Sequence, residues 1–239
     1  MKRVAIIQSA YVPWRGFFDL ISRCDEYIIY DQVAYSKGHW HNRNKIKTAT
    51  GTRWITIPVK TSGKLGQPIE DVEIKGDWAQ SHFSQVRQAY KTAPAAKVFL
   101  PVIEALYDRA EKLQFLTDVN ELFLRHFVDT LKLEVLITRD RIYAPHSARS
   151  ERVLATCLAA GATHYLSGPS AKVYLDEAMF RDAGVTVEWM SYGPYPEYTQ
   201  LHGVFDGQVS IIDPILNGHG AGFAAASRPQ QGAATWQSV

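Results

Sequence analysis

Short runs of apolar, β-branched residues alternate along this chain with stretches whose apolar residues recur at helical spacing. The run Val4–Ile7 predicts a buried strand. A loop containing Pro and Gly follows it and leads into a helical pattern over Phe17–Cys24. Tyr27–Tyr30 is a second β-prone run. A strand, a loop, a helix and a strand within about thirty residues predict a βαβ unit with parallel strands.

The same alternation continues through the rest of the chain. Strands are predicted at Trp54–Val59, Val72–Ile74, Val135–Thr138, Thr163–Leu166 and Val185–Trp189. Helices are predicted at Ala79–Tyr90, Lys97–Ala110, Asp118–Leu131, Ser150–Ala160 and Leu175–Ala183, with Asp118 and Ser150 as N-caps. This order predicts an α/β fold of the three-layer, Rossmann-like type, in which helices flank a mostly parallel sheet.

Residues 1–220 are expected to form a single α/β domain, which is long enough to bury one substantial core. The composition agrees, since 46% of the 239 residues are hydrophobic and 21% are charged. Residues 221–239 are rich in Gly, Ala, Ser and Gln and have no periodicity. They are predicted to be a flexible C-terminal tail.

The two cysteines, Cys24 and Cys157, form neither a CxxC pair nor a disulfide framework, which indicates a reducing cytoplasm. Both lie on predicted apolar helix faces, where thiols are usually inert. The N-terminal apolar run is too short for a signal peptide, and no run approaches the roughly 20 residues that span a bilayer. We therefore expect a cytoplasmic protein with no membrane partner.

Charge is distributed unevenly, although the formal net charge is only +2. That value is too small for a general nucleic-acid-binding protein, so no nucleic-acid partner is expected. The segment from Gln32 to Ile69 contains no Asp or Glu but seven basic residues: Lys37, Arg43, Lys45, Lys47, Arg53, Lys60 and Lys64. A local positive field of this kind favours a phosphorylated or carboxylated small-molecule ligand.

Polar residues follow the first two predicted strands at the points where they end. Gln8 and Tyr11 come after the first strand, and Asp31 directly follows the second. Because ligands bind at the carboxyl ends of strands in open α/β sheets, these three residues are candidate catalytic residues. Asp31 is a candidate general base or amine-binding group, and it is also a candidate cap for a turn.

The stretch Tyr35–Lys47 (YSKGHWHNRNKIK) is the most unusual segment, since it joins polar, aromatic and basic side chains without a carboxylate. Arg43 and Lys47 are predicted to bind a phosphate or carboxylate. Asn42 is a candidate catalytic residue that would orient a carbonyl or a sugar hydroxyl. The alternative interpretation is a solvated basic loop, although such loops normally mix both charge signs.

Aromatic and imidazole groups of the same stretch add further candidates. Trp40 and Tyr35 are predicted to contact the substrate, with Trp40 as a stacking wall. His39 and His41 titrate near neutrality, so His41 is a candidate catalytic proton carrier. No metal is expected here, because an i, i+2 histidine pair without nearby Cys, Asp or Glu is not a zinc signature.

Three later segments supply the remaining candidate binding residues: Ser167, Gly168, Tyr174, Tyr198 and Asp213. The SGPS turn after a predicted strand can hold phosphate through backbone N–H groups, although it is neither a Walker A loop nor a nucleophile elbow. The segment SYGPYPEYTQ is a candidate wall for a small-molecule cleft. Asp213 stands in an apolar setting, which is typical of a buried, hydrogen-bonded polar group.

Taken together, these residues resemble the WbqC-like family of bacterial proteins over Val4 to about Gly218. The resemblance rests on the pattern Ile-Gln-x-x-Tyr-x-Pro-x-x-Gly-Phe-Phe, on IIYDQVAYSK and on WHNRNKIK…WITIPVK. HYLSG, YLDEAMF and SIIDPILNG also match. This chain departs from the family at Gln8-Ser9, where the family usually reads Gln-Pro.

The resemblance implies a role in gene clusters for O-antigen and other surface polysaccharides, and a glycyl or other aminoacyl transfer to an amino sugar. The expected enzyme forms an amide between an activated acyl donor and the amine of a sugar nucleotide or related metabolite. The donor would be a phosphopantetheine or coenzyme A thioester, with an acyl or peptidyl carrier protein as a partner. No tightly bound cofactor is expected.

The roles in such a transfer are expectations of the same kind. Asp31 would deprotonate or position the amine, and Gln8, Tyr11 and Asn42 would polarise the acyl carbonyl. Two alternatives stay open. One is a nucleotidyl (adenylyl) transferase, although the chain lacks an HxGH signature. The other is a non-enzymatic accessory protein that binds a sugar nucleotide or a carrier protein.

The composition of the tail predicts that truncation after Gly220 changes the melting temperature and the activity very little. A segment so poor in large apolar residues cannot bury enough surface to offset its ordering entropy. Differential scanning calorimetry of the full and truncated chains tests this expectation. A drop of several degrees would show that Phe223 or Trp236 docks on the rest of the protein.

Overall fold

The computed structural model describes residues 1–143 and 149–220. This part of the chain contains seven strands: β1 (Arg3–Ile7), β2 (Glu26–Ile29), β3 (Arg43–Thr48), β4 (Gly51–Thr56), β5 (Leu136–Arg139), β6 (His164–Ser167) and β7 (Thr186–Trp189). Five of them form one sheet in the order β5-β2-β1-β6-β7, with every neighbouring pair parallel. The predicted α/β fold and the parallel β1–β2 pair are therefore confirmed.

The described residues also contain seven helices: α1 (Arg15–Ser22), α2 (Ala79–Tyr90), α3 (Ala96–Ala110), α4 (Leu116–Thr130), α5 (Arg149–Ala159), α6 (Glu177–Asp182) and α7 (Ile212–Leu216). The observed bounds of α2 agree with the predicted helix at both ends. The other predicted helices shift by one or a few residues at their ends. The short helix α7 was not predicted, because five residues are too few to show a helical period.

Both faces of the sheet are buried under helices, which gives the three layers expected for this fold. Successive side chains of β1 point to opposite faces, so Val4 packs with Cys157 of α5 and Phe180 of α6. Ala5 packs on the other face with residues of α1 and α4, including Phe18. The buried strands consequently read as nearly continuous apolar runs in the sequence.

The two cysteine thiols lie in these two layers and are buried. Burial disfavours the thiolate and raises the pKa of both Cys24 and Cys157 to about 12. Both thiols are therefore protonated at neutral pH. This agrees with the expectation that neither is a nucleophile.

The order of strands creates a switch point beside β1. From β1 the chain proceeds to β2 on one side, and it later returns to β6 on the other side. The loops that leave the carboxyl ends of β1 and β6 therefore diverge and open a crevice between them. This crevice is the place where open α/β sheets bind ligands.

The antiparallel hairpin β3–β4 lies outside the main sheet, and its strand β3 argues against the alternative interpretation of this segment as a solvated basic loop. Side chains alternate along β3: Asn44 and Ile46 are buried, whereas Arg43 and Lys45 lie on the opposite face. The period of two in RNKIK was the available signal, but it was obscured because its apolar face contains an asparagine. The strand predicted at Trp54–Val59 instead ends at Thr56.

Three further local predictions were wrong. Residues Val72–Ile74 form no strand; a 3-10 turn at Ile69–Asp71 precedes isolated bridges there. Asp118 lies in the first turn of α4 and does not cap it, because the helix begins two residues earlier. Ser150 lies inside α5, where its hydroxyl donates to the Tyr174 carbonyl. The predicted tail, 221–239, lies outside the described residues.

A buried polar cluster joins the loop after β1 to helices α2 and α3. The hydroxyl of Tyr11 lies 3.0 Å from Nδ1 of His82 and 2.7 Å from the hydroxyl of Tyr107. Burial disfavours the charged imidazolium and lowers the pKa of His82 to about 4. His82 is therefore neutral in the folded protein at pH 7.

Stability is expected to fall with acidification because of His82. The unfolded chain binds this proton below about pH 6.5, whereas the folded chain binds it only near pH 4, so stability is lost as pH falls through this window. The contribution is about 2 kcal/mol between pH 6.5 and 5. Urea unfolding of the wild type and His82→Gln at pH 7 and 5 measures it. Equal losses of unfolding free energy in the two proteins would contradict the assignment.

Candidate functional site

A cavity of about 550 Å³ occupies the crevice at the carboxyl end of β1. It is lined by residues of the β1 and β2 loops, of β3, of the turn after β6 and of the segment before α7: Ile7, Gln8, Ser9, Ala10, Pro13, Trp14, Phe17, His39, Trp40, His41, Asn44, Ser170 and Gln208. Sequence reasoning placed the site at this edge of the sheet, and the cavity lies there.

Among residues 1–143 and 149–220, those that line the cavity include no Asp, Glu, Lys or Arg, so this part of the wall carries no permanently charged side chain. Aromatic rings of Trp14, Phe17 and Trp40 supply most of the large surfaces. The polar groups are the amides of Gln8 and Gln208, with hydroxyl and imidazole groups beside them. Such a wall suits an uncharged polar group with one apolar side.

His41 is the most distinctive polar residue of this wall. Its Nδ1 lies 3.0 Å from the Ser9 carbonyl oxygen. Because a carbonyl oxygen only accepts, Nδ1 carries the proton and Nε2 keeps its lone pair. Burial lowers the pKa of His41, while the hydrogen bond to Ser9 and the charge of Asp31 oppose that shift. The imidazole is therefore neutral at pH 7, and within the described ranges Nε2 has no hydrogen-bond partner.

Ser9 holds three elements in place around the cavity. Its amide N–H donates to Oδ1 of Asp31 at 2.9 Å, and its carbonyl accepts from His41. Its hydroxyl accepts from Nδ2 of Asn120 in α4 at 2.9 Å. The same Asn120 amide group also donates to the His41 carbonyl, so the histidine is fixed from two sides.

The loop after β1 is strained and is held by β3. Val12 adopts a φ of 38°, which is rare for a β-branched residue, and its side chain is fully buried. Nδ2 of Asn44 donates to the carbonyls of Tyr11 and Val12 at 3.2 and 2.9 Å. Asn44 is thus a positioning residue, and sequence reasoning assigned it no such role.

Trp14 forms another wall and depends on a glycine. A Cβ atom on Gly16 would lie 2.3 Å from the Trp14 indole, so only glycine allows this ring position. The indole also contacts the rings of Tyr192 and Tyr195. Trp14, Ser170 and Gln208 were not among the predicted site residues. The Pro-Trp-x-Gly pattern was the signal for Trp14, whereas Gln208 had none.

Gln8, Trp40 and His41 are the predicted site residues that line the cavity. The other candidates lie outside its wall: Tyr11, Asp31, Tyr35, Asn42, Arg43, Lys47, Ser167, Gly168, Tyr174, Tyr198 and Asp213. Their proposed contacts with substrate stay predictions, and their observed surroundings assign most of them other tasks.

Asp31 lies beneath the cavity and is buried. Oδ1 accepts from the Ser9 amide, and Oδ2 accepts from the Thr117 hydroxyl at 2.6 Å. Its carboxylate therefore ties the ends of β1 and α4 to β2. This geometry favours a structural role over the general base, because both oxygens already receive protein donors. Those donors lie 22 and 86 positions away, so Asp31 links separate elements and does not cap a local turn.

Tyr11 and Asn42 are also occupied by the fold. The Tyr11 hydroxyl belongs to the buried cluster with His82, and burial raises its pKa far above the usual range. Nδ2 of Asn42 donates to the Ile57 carbonyl at 2.8 Å, while the Ile57 amide donates to the Asn42 carbonyl. Neither side chain reaches the cavity, so Gln8 is the predicted carbonyl-polarising residue that does.

The predicted phosphate-binding cations separate into two environments. Lys47 is buried, and its ammonium donates to the Val204 carbonyl. The guanidinium of Arg43 donates to the Gly38 carbonyl and stacks on Trp54 at 4.4 Å from the ring centroid. Tyr35 lies nearby, with its ring 5.7 Å from that of His41. Arg43 is partly exposed on its face of the hairpin, whereas Lys47 on the same face is covered.

The later candidates lie around the cavity without entering it. Asp213 is fully buried and accepts hydrogen bonds from Tyr90 and Tyr198, so it organises the segment before α7. Ser167 ends β6 with its hydroxyl donating to that of Tyr165, and Tyr174 is exposed. The SGPS turn contributes Ser170, rather than Ser167 or Gly168, to the lining.

Among residues 1–143 and 149–220, no group of three or more His, Cys, Asp or Glu side chains is arranged to hold a metal ion. Within the same ranges, no helix has the length and apolar character needed to cross a membrane.

Replacing Asp31 separates its two interpretations. In Asp31→Asn, the side-chain carbonyl still accepts from Ser9 and the amide donates to the Thr117 hydroxyl, so we expect near-normal stability and activity. Asp31→Ala leaves the Ser9 N–H unpaired and is expected to lower the unfolding free energy by about 1–3 kcal/mol. Urea unfolding and activity of both variants test this, with Thr117→Val as the control that removes one bond. A folded but inactive Asp31→Asn protein would restore the general base.

Comparisons with known proteins place the chain in a family. Residues 8–222 match the model of the WbqC-like protein family. The chain is similar to the protein named "Uncharacterized protein Rv1507c" from Mycobacterium tuberculosis (strain ATCC 25618 / H37Rv), with 39% identity over 218 residues, which cover 91% of this chain and 94% of that relative. No solved structure matches the chain. The family resemblance read from the sequence is thereby confirmed: the chain belongs to the WbqC-like protein family.

Proposed function

We propose that this protein is an aminoacyl or acyl transferase of the cytoplasm that forms an amide on an amino sugar or a related amine metabolite. The observation that carries the proposal is the neutral His41, whose Nδ1 is fixed by Ser9 and whose Nε2 is left for a ligand in an uncharged cavity. An amine must lose a proton when it attacks an acyl group, and a neutral imidazole is suited to accept it.

In the proposed reaction, the amine nitrogen attacks the carbonyl carbon of a thioester donor. The C–N bond forms, and Nε2 of His41 takes the proton that the nitrogen loses. The C–S bond then breaks, and the proton passes from His41 to the departing thiolate. Gln8 and Ser170 line the same cavity and supply an amide N–H and a hydroxyl toward the developing oxyanion.

The surrounding hydrogen bonds support this division of roles. Ser9 selects the tautomer of His41, and Asp31 acts through Ser9 instead of through its own proton transfer. The charge of Asp31 also raises the pKa of His41 against the effect of burial. In this proposal Asp31 is a positioning residue, and His41 replaces it as the base.

The family supplies the biological setting of the proposal. The resemblance read from the sequence implies a place in gene clusters for O-antigen and other surface polysaccharides, so an amino sugar or its nucleotide is the proposed acceptor. A coenzyme A or phosphopantetheine thioester, with a carrier protein as partner, is the proposed donor. The relative from Mycobacterium tuberculosis is itself described as uncharacterized and adds no activity.

Nucleotidyl transfer is the second candidate, and one observation favours it. The cavity lies at the switch point of a parallel sheet, where Rossmann-like folds commonly bind nucleotides. Against it, no cation lines the cavity to meet the phosphates of ATP. Binding without turnover would correspond to the third candidate, an accessory protein.

Mass-spectrometric turnover assays separate these functions. Aminoacyl and acyl thioesters are incubated with amino-sugar acceptors, with and without ATP and Mg²⁺. Amide formation without ATP supports the transferase. Pyrophosphate release that requires ATP supports nucleotidyl transfer, and the absence of any product with ligand bound supports the accessory role.

His41→Gln is expected to lower the turnover number by about 10²–10⁴-fold while the protein stays folded and still binds its ligand. Glutamine keeps a donor for the Ser9 carbonyl but cannot accept a proton. His39→Gln is the matched control, since His39 lines the same cavity, and it should change turnover little. Near-normal turnover in His41→Gln would remove His41 from the mechanism.

The pH profile provides an independent check on the same residue. Because burial lowers the pKa of His41 below its usual value of 6.5, the wild-type rate should begin to fall only below pH 6.5. This acid limb should disappear from the residual activity of His41→Gln. An unchanged limb in the variant would assign it to another group.

A further inference from the structure

The outer face of the β3–β4 hairpin carries a small cationic and aromatic surface. Arg43 and Lys45 alternate on β3 and therefore share a face, and Lys45 is directly opposite Trp54 on β4. The Arg43 guanidinium lies 4.4 Å and the Lys45 ammonium 5.3 Å from the Trp54 ring centroid. We call these three residues the hairpin surface.

The two cations of the hairpin surface have no carboxylate partner. Salt bridges in the part of the chain that the structure describes involve other basic residues, including Lys60 and Lys64, which both pair with Glu73. Neither Arg43 nor Lys45 forms one within those ranges. Two neighbouring cations without counter-charges create a local positive field that favours an anion.

The hairpin surface adjoins the cavity. Trp40 lines the cavity, and its ring centroid lies 5.2 Å from that of Trp54. Both indoles are largely exposed for such rings, at 49% for Trp40 and 40% for Trp54. Two consecutive ring contacts therefore connect the uncharged cavity wall to the Arg43 guanidinium.

The cations and the proposed base His41 therefore lie in two different regions. The cavity contains the base but no cation, whereas the cations stand immediately outside it and flank an exposed aromatic ring. A ligand that uses both regions needs an uncharged end for the cavity and an anionic group one or two ring widths away. Lys47 does not contribute, because its buried ammonium donates to the Val204 carbonyl.

We infer that the hairpin surface is a phosphate subsite, and that the ligand is a phosphate ester whose uncharged end occupies the cavity beside His41. This inference rests on the proposed function for the identity of the uncharged end. The cations lie only one ring beyond Trp40 of the cavity wall, and this short separation favours a phosphate bonded directly to a sugar ring. A pantetheine arm is longer and would carry its phosphate beyond Trp54, so the two sources of phosphate are distinguishable.

Isothermal titration calorimetry with defined probes tests the inference. The probes are glucosamine, glucosamine 1-phosphate and UDP-glucosamine, which carry the free amine that the proposed reaction acylates, with coenzyme A as the other source of phosphate. We expect the two phosphorylated sugars to bind at least tenfold more tightly than the free sugar. If coenzyme A bound more tightly than the phosphorylated sugars, and did so through its phosphates, the phosphate subsite would be supported. The preference for a sugar phosphate would be overturned.

Charge-removing variants locate the phosphate on the protein. Lys45→Gln and Arg43→Gln are each expected to weaken binding of the phosphorylated probes about tenfold to a hundredfold, as for the loss of a charge-assisted hydrogen bond. Binding of the unphosphorylated sugar should not change. Lys45→Gln is the cleaner variant, because Arg43 also holds the Gly38 carbonyl and its loss can loosen that loop.

Arg53→Gln is the matched control. Arg53 is an exposed neighbour of Trp54 in β4 whose side chain points to the other face of the hairpin, so it removes the same charge without touching the surface. If Arg53→Gln weakened binding of the phosphorylated probes as much as Lys45→Gln does, the loss of affinity would reflect the protein's overall charge and not a specific subsite. That result would overturn the inference. Unchanged affinity in Lys45→Gln, or no phosphate-dependent binding to the wild type, would also overturn it.

The same measurements keep this inference separate from the proposed function. His41→Gln should leave the phosphate-dependent gain in affinity intact, since the imidazole does not contact the hairpin surface. Normal turnover in His41→Gln would reject the transferase mechanism without affecting phosphate binding. Loss of phosphate dependence in the wild type would reject the subsite without bearing on His41.

Discussion

The hydrogen bonds of Ser9 constrain the candidate site more than any other interaction. Its N–H, carbonyl and hydroxyl contact Asp31, His41 and Asn120, which belong to three different elements. Each bond contributes only about 0.5–1.5 kcal/mol net, but a buried partner left unpaired costs more. The three bonds therefore act together in setting where β2, α4 and the His41 loop meet.

The family resemblance implies a proline where this chain has Ser9, and only one of the three bonds would survive that replacement. A proline in place of Ser9 would lack both the N–H that meets Asp31 and the hydroxyl that meets Asn120. Its carbonyl could still accept from His41. The interaction that fixes the histidine tautomer is thus a backbone interaction, which does not depend on which of the two residues stands at this position.

Electrostatics divides the proposed site into two regions. Burial and a neutral wall keep His41 uncharged, so it can accept a proton at neutral pH. Cations inside the same cavity would lower the pKa of His41 further and would attract the phosphate to the position beside His41 that the reacting group needs. The hairpin moves Arg43 and Lys45 to the outer face, where water and the Trp54 ring stabilise their charge.

The irregular segment before α7 completes the cavity from the other side. The Arg15 guanidinium donates to the Pro196 carbonyl at 2.8 Å and stacks on the Tyr195 ring at 4.9 Å. Asp213 holds Tyr198 and Gln200 of the same segment. These contacts bring Gln208 to the cavity wall although the segment has no strand or helix of its own.

The sequence by itself determined the fold class, because β1 and β2 are short apolar, β-branched runs and α2 has a helical period, and tertiary contacts reinforce these local preferences. It also predicted a site at the carboxyl end of β1, where the cavity lies, and indicated Gln8, Trp40 and His41, which line that cavity. Only the tertiary structure showed that Asp31 and Tyr11 bond to other groups of the protein. A sequence cannot show whether the partner of a polar residue is a ligand or a distant part of the same chain. The tertiary structure alone showed that β3 pairs with β4. It also showed that Lys47 is buried while Lys45 on the same face is not, because the ammonium of Lys47 donates to the carbonyl of Val204, which is more than a hundred positions away.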